Sequence, residues 1–552
     1  MRLRLAALPL LALAGMVGAQ TIVAPVAPIA EQTLREVTRE LSSDAYEGRA
    51  PGTAGEEKTV AYLAKRFAAV GLKPGNKGSW YQDVPLVELT ARNVSPLVFT
   101  GAGAPLSLNY GTDMVVGTWR IAPRIEVRDS PVVFVGYGIN APEKGWNDYA
   151  GLDVRGKTVL ILVNDPDWKT PGLTGPFNGR AMTYYGRWTY KYEEAARQGA
   201  AAAIIVHQTE PAAYGWNVVQ SSWTGAQQVA DAADNHAGDS AAIGWMQEAQ
   251  AHRLFEREGL DFDALAASAG RKGFRARPLN GARASVSFDE TVRRHQSRNV
   301  IGILPGTTRP DEYVLYSAHW DHLGRCEAAT DGDDICNGAI DNATGTAALV
   351  ALAEANAKAG ATARSQLFVA VTAEESGLLG SEYYAANPVY PLAQTVGGVN
   401  MDALSLAGPA RNVVVVGKGK SELDGYLAAA LKTQGRVASD EPTPEKGFYY
   451  RSDHFSLAKR GVPMIYFDAG DDLVTGGKAA GAAAAKDYEE HRYHAPKDEF
   501  DPKWNWAGTV KDVQLYYGIG RALADSDHWP NWTAGDEFRA IRDKSRAAAT
   551  AK

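Results

Sequence analysis

Leu367-Phe368-Val369-Ala370-Val371-Thr372-Ala373-Glu374-Glu375 is an apolar run that stops on two adjacent carboxylates. Its length and side chains predict a buried strand over 366–372 with the acidic pair directly beyond its end. Neighbouring carboxylates beside an apolar strand repel each other unless protons or cations relieve them. The same design recurs on either side. Tyr313–Ala318 leads into His319-Trp320-Asp321-His322, the short run Val399–Met401 leads into Asp402, and further β-rich runs lie at 413–416 and 464–467. Helical stretches over 343–358 and 423–433 separate them. Strands alternating with helices predict an α/β fold with a mixed, mainly parallel central sheet flanked by helices, and such sheets bind ligands beyond the carboxyl ends of their strands.

Each polar position also has an ordinary reading. His319 alone would be a structural histidine at a strand end; as a ligand it binds a metal through one ring nitrogen while Asp321 accepts a hydrogen bond from the other. Asp341, in Gly338-Ala339-Ile340-Asp341-Asn342, either caps the helix that follows or spreads its two oxygens over two cations. Glu374 and Glu375 can divide the labour, one binding metal and the other taking a proton. Tyr493-His494-Ala495-Pro496-Lys497-Asp498 adds an imidazole with a phenol beside it. Five such positions, nearly all at predicted strand ends, are hard to explain as core chemistry.

The remainder of the chain is less specific. Arg2 and Arg4, the apolar run Leu5–Val17 and the small residues Val17-Gly18-Ala19 read as a signal peptide cleaved after Ala19, because the run is shorter than the roughly 18–20 residues a membrane anchor needs. An exported mature chain with no membrane span is expected. The net charge of −7 leaves no basic stripe for phosphates, so no nucleic-acid partner is expected. Cys326 and Cys336 are the only cysteines and read as a loop disulfide or as thiolate ligands. Two amphipathic helices fit residues 30–75, joined by the loop Glu47–Gly52, a connector or a border of the active site. Strands near 131–135, 157–163 and 202–206, with a helix over 191–198, form a separate mixed unit without ligand-type clusters. His207 reads there as a structural strand-end residue. No G-x-S-x-G elbow and no H-E-x-x-H motif occurs.

In this order, His319-x-Asp321, Asp341-Asn342, Glu374-Glu375, Asp402 and Tyr493-His494 resemble the zinc aminopeptidases of peptidase family M28, and residues 199–207 resemble the protease-associated domain that many peptidases carry. The resemblance implies a fold of the zinc aminopeptidase and phosphorylase–hydrolase kind, with this chain divided into a signal peptide 1–19, a discontinuous catalytic domain 20–129 and 290–530, a protease-associated-like α/β insert 130–289 and a tail 531–552 that frays into solvent. It implies two Zn2+, one held by His319 and Asp402, the other by Glu375 and His494, with Asp341 bridging. Glu374 would be the general base, Asp321 the partner of His319, and Tyr493 a donor to the oxyanion or a packing residue beside His494. Peptides with a free N-terminus would be cleaved by a metal-bridging hydroxide. A non-proline cis peptide would fall at Asp341-Asn342. His454, in Ser452-Asp453-His454-Phe455, competes with His494 as ligand but is read as pocket wall, and His322 and His491 as supporting or surface groups. The rival readings are a single-zinc glutaminyl cyclase, a carboxypeptidase of acidic substrates, for which only Arg325 and Arg451 lie near the motifs, and a non-catalytic receptor-like homologue that keeps the fold for binding, against which stands the complete set of ligands.

Overall fold

The computed structural model describes residues 29–326 and 328–550, so the expected signal peptide lies outside the described residues. At its centre the strands Met464–Ala469, Thr395–Asn400, Arg309–His319 and Arg364–Val371 lie side by side and parallel. Antiparallel neighbours close both flanks, Asn412–Val416 beside Met464–Ala469 and the last residues of Arg277–Leu304 beside Arg364–Val371. The expected mixed, mainly parallel sheet is therefore the one that forms.

Its strands read as unbroken apolar runs because both faces are covered. Val314, Tyr316, Ala318, Phe368 and Ala370 face a core shared with the helices Glu31–Leu41, Ala54–Ala69, Gly345–Ala359 and Ala507–Asp525. Alternate residues Tyr313, Leu315, Leu367, Val369 and Val371 face the opposite core with Tyr384 and Leu457. Side chains one apart on a strand point to opposite faces, so one sequence run fills two cores.

The second unit is built on the parallel strands Thr158–Leu162, Ala202–His207 and Ala242–Gln247. Its core also takes in Leu97, Phe99, Leu106, Leu108 and Ile125, so by packing it reaches back beyond the expected start at 130. That boundary falls inside the strand Arg124–Phe134. The other, at 289/290, falls inside Arg277–Leu304, which pairs with Arg124–Phe134 at one end and with the central sheet at the other. One continuous strand thus joins the two units. His207 is buried, its Nε2 3.0 Å from the Tyr214 carbonyl, as a structural histidine should be. Cys326 and Cys336 form a disulfide. Among the described residues no helix is long and apolar enough to cross a membrane.

The tail departs from expectation. The helix Arg539–Thr550 does not fray from its base: Arg542 is buried and donates to the carbonyls of Thr395 and Val396 at 2.9 and 3.0 Å. Arg542→Ala would remove both of these bonds and is expected to cost about 2 kcal/mol, read as a lower midpoint of urea unfolding; an unchanged midpoint would mean the tail is undocked in solution.

Candidate metal centre

The central strands end together. His319 is the last residue of its strand, Glu374 and Glu375 follow Arg364–Val371, and Asp402 follows Thr395–Asn400. Asp341 comes from the turn Ala339–Thr344 at the foot of the helix Gly345–Ala359, where the Asp341–Asn342 peptide is cis. His494 arrives from the loop after the helix Gly477–His491. Ala373, Ala403 and His494 all have positive φ, 52°, 46° and 56°. Left-handed backbone at residues other than glycine stores strain of about 1–3 kcal/mol each and concentrates where side chains must be aimed.

The six side chains converge. Asp341 Oδ1 lies 3.4 Å from His319 Nε2 and its Oδ2 lies 3.4 Å from His494 Nε2. On the first side Asp402 Oδ1 is 3.2 Å and Glu374 Oε2 3.8 Å from His319 Nε2. On the second, Glu375 Oε2 is 3.1 Å from His494 Nε2. Ligand-type atoms of His319, Asp341 and Glu375, and those of His319, Glu374 and Asp402, each lie within 4.8 Å of one another.

The cluster concentrates negative charge. Burial opposes charge on His319 and His494, yet Glu374 and Asp402 around the first and Glu375 beside the second raise both well above the ordinary imidazole range. Burial would likewise raise Glu375, but His494 and His322 hold it down at about 2. Burial together with Asp402 and Glu375 pushes Glu374 well above the usual carboxylate range. This is a buried excess of carboxylate that draws in positive charge. Divalent cations meet that demand while the imidazoles stay neutral, and the oxygen and imidazole donors suit zinc.

Further residues hold the cluster in place. His319 Nδ1 is 3.3 Å from the backbone carbonyl of Asp321 and 3.7 Å from its carboxylate, so the expected support is shared with the main chain. The Asp321 carboxylate instead accepts from the backbone N–H groups of Glu374 and Glu375, at 3.2 and 3.4 Å. Asp498 accepts from the N–H groups of Ile340 and Asp341 at 3.0 Å, Ser452 Oγ donates to Asp402 Oδ2 at 2.6 Å, and His322 Nδ1 meets Glu375 Oε1 at 2.5 Å. His322 is buried, a supporting group and not a surface one. Arg49, fully buried, donates to the carbonyls of Leu41, Trp320, Asn337 and Gly338, so the loop Glu47–Gly52 borders the site. Nothing local in the sequence marked Arg49 or Ser452 for these roles.

Tyr493 stacks on His494 with ring centroids 3.9 Å apart. Burial of its hydroxyl and the carboxylates of Asp341 and Glu375 push it up to about 12, so it remains a donor at neutral pH, although the residue as a whole is exposed. His454 lies outside the cluster, buried between the rings of Tyr449 and Tyr466. His491 is exposed on its helix, against the Asp487 carbonyl.

Residues 299–518 match the model of Peptidase family M28. That segment is similar to the M28 peptidases. The curated relatives it resembles include a glutamate carboxypeptidase 2 homolog of Caenorhabditis elegans, 32% identical over 132 residues, and aminopeptidase NAALADL1 of Mus musculus, 31% identical over 128. Those matches take in 23% and 22% of this chain and 16% of each relative. Among solved structures, the aminopeptidase from Aneurinibacillus sp. strain AM-1 superimposes over 91% of this chain and 96% of its own with a TM-score of 0.50 and 21% identity, a likeness of fold.

Supporting partners of this kind typically tune metal affinity 10–100-fold. His322→Ala is therefore expected to weaken zinc retention by about 10–100-fold in a chelator competition, and a variant that holds zinc as tightly as the parent would remove His322 from this role.

Proposed function

We propose that the chain is an exported two-zinc aminopeptidase whose M28 domain hydrolyses the first peptide bond of peptides with a free N-terminus, beside a protease-associated-like unit. The observation that carries this reading is the Asp341 carboxylate, which turns one oxygen to His319 and the other to His494. A carboxylate shared this way supports two cations and argues against the single-zinc cyclase.

In this reading His319 and Asp402 hold one zinc, His494 and Glu375 the other, and Asp341 both. The ions, when bound, supply Lewis acidity towards the scissile carbonyl and make the attacking water more acidic. Glu374, free of a ligand role and beside the first set, takes the proton from that water and returns it to the departing amine. Tyr493 donates a hydrogen bond to the carbonyl oxygen as negative charge gathers there. Asp321 acts through others, holding the backbone of both glutamates.

The test is hydrolysis of a panel of aminoacyl anilides by the mature chain. Chelation should abolish turnover and added zinc restore it, with two zinc ions per chain by elemental analysis. Glu374→Gln should keep its zinc and lower kcat by about 10^2–10^4-fold. Full activity in the chelated enzyme or in the variant would overturn the mechanism.

A further inference from the structure

Ser317 and Asn400 are polar residues inside an apolar sheet, with exposures of 2% and 0%. They pair in register on neighbouring parallel strands. Ser317 precedes His319 by two residues and Asn400 precedes Asp402 by two, so the pair stands just behind these ligands, whose Nε2 and Oδ1 are 3.2 Å apart. Ser317 shares a small buried space with Leu315, Val369, Val371 and Tyr384. Polar side chains in such surroundings cost stability unless their atoms are bonded.

Their bonds run in one direction and end on a ligand. Ser317 Oγ donates to Asn400 Oδ1 at 2.7 Å, Asn400 Nδ2 donates to Ser452 Oγ at 2.7 Å, and Ser452 Oγ donates to Asp402 Oδ2 at 2.6 Å. Ser452 is buried as well, so solvent does not compete for its hydroxyl. An amide nitrogen only donates, so Asn400 fills an acceptor position of that hydroxyl and offers it no acceptor in return. The one hydroxyl proton is left for Asp402. Each bond in such a chain polarises the next, which strengthens the last one on the carboxylate. With Oδ2 committed to Ser452, Oδ1 is the oxygen that Asp402 turns towards His319.

Resting on the two-zinc reading, we propose that Asn400 is a positioning residue for the zinc held by His319 and Asp402, acting through the hydroxyl of Ser452, while Ser317 fixes which end of the amide faces that hydroxyl. Asn400 touches neither metal nor substrate. Asn400→Leu would keep the shape of the side chain but no longer direct the Ser452 proton, and the Asp402 carboxylate would lose its fixed orientation. The strand Thr395–Asn400 thus leads into a ligand and carries, two residues before it, the group that aims it.

The test is calorimetric titration of zinc into the chelator-stripped full chain, comparing the parent with Asn400→Leu, Ser452→Ala and the double variant. Asn400→Leu and Ser452→Ala should each weaken one of the two zinc positions by about 10–100-fold and leave the other unchanged. Because one residue acts through the other, the double variant should lose no more than the stronger single variant. Should Asn400→Leu fold poorly, Asn400→Asp, whose carboxylate draws the Ser452 proton away from Asp402, should weaken the same position. Parental affinity in a folded Asn400 variant, equal weakening at both positions, or losses that multiply in the double variant would overturn the relay and leave the two-zinc reading standing. A parent chain that takes up no zinc would overturn that reading and the relay with it.

Discussion

Buried carboxylates crowded together demand positive charge or hydrogen-bond donors, and this fold brings Asp341, Glu374, Glu375 and Asp402 to one place beside His319 and His494. Much of the remaining architecture serves that concentration of charge. Parallel strands deliver their ends to a common edge, the turn at Asp341 inserts a shared carboxylate between two imidazoles, and Asp321, Asp498, Ser452 and His322 fix the ligands by their backbones or second oxygens. The positive-φ residues beside the ligands show that local backbone preference yields to this arrangement.

The second unit is coupled to the site by more than covalent continuity. The segment around Tyr184 packs its aromatic rings against Tyr450 and Phe455, within the stretch that carries Arg451 and Ser452. A shift of one unit against the other would therefore be felt at Asp402 through Ser452. The strand Arg277–Leu304, which pairs in both units, makes such a shift costly.

Legibility in the sequence followed the range of each interaction. His319, Glu374, Glu375 and Asp402 stood out because an apolar run ending in a ligand-type residue is a local pattern. Asp341 alone was equally readable as a helix cap, and His494 depended on its resemblance to a family motif. Arg49 bonds the Trp320 carbonyl from 271 residues away, and a lone arginine in a glycine-rich loop carries no local sign of that. The docked tail was misread for the same reason: Arg542 looks like a solvated charge until the carbonyls of Thr395 and Val396 are placed around it.

The sequence by itself determined the alternation of strands and helices, the burial of both sheet faces and which carboxylates and imidazoles end the strands, because periodicity and apolar runs are properties of neighbours along the chain. Tertiary structure decided which oxygen of Asp341 faces which histidine, that the Glu47–Gly52 loop supports the site, and where the second unit begins. Those relations depend on distance in space between residues remote in sequence, and only the closed sheet and its packed helices define that distance.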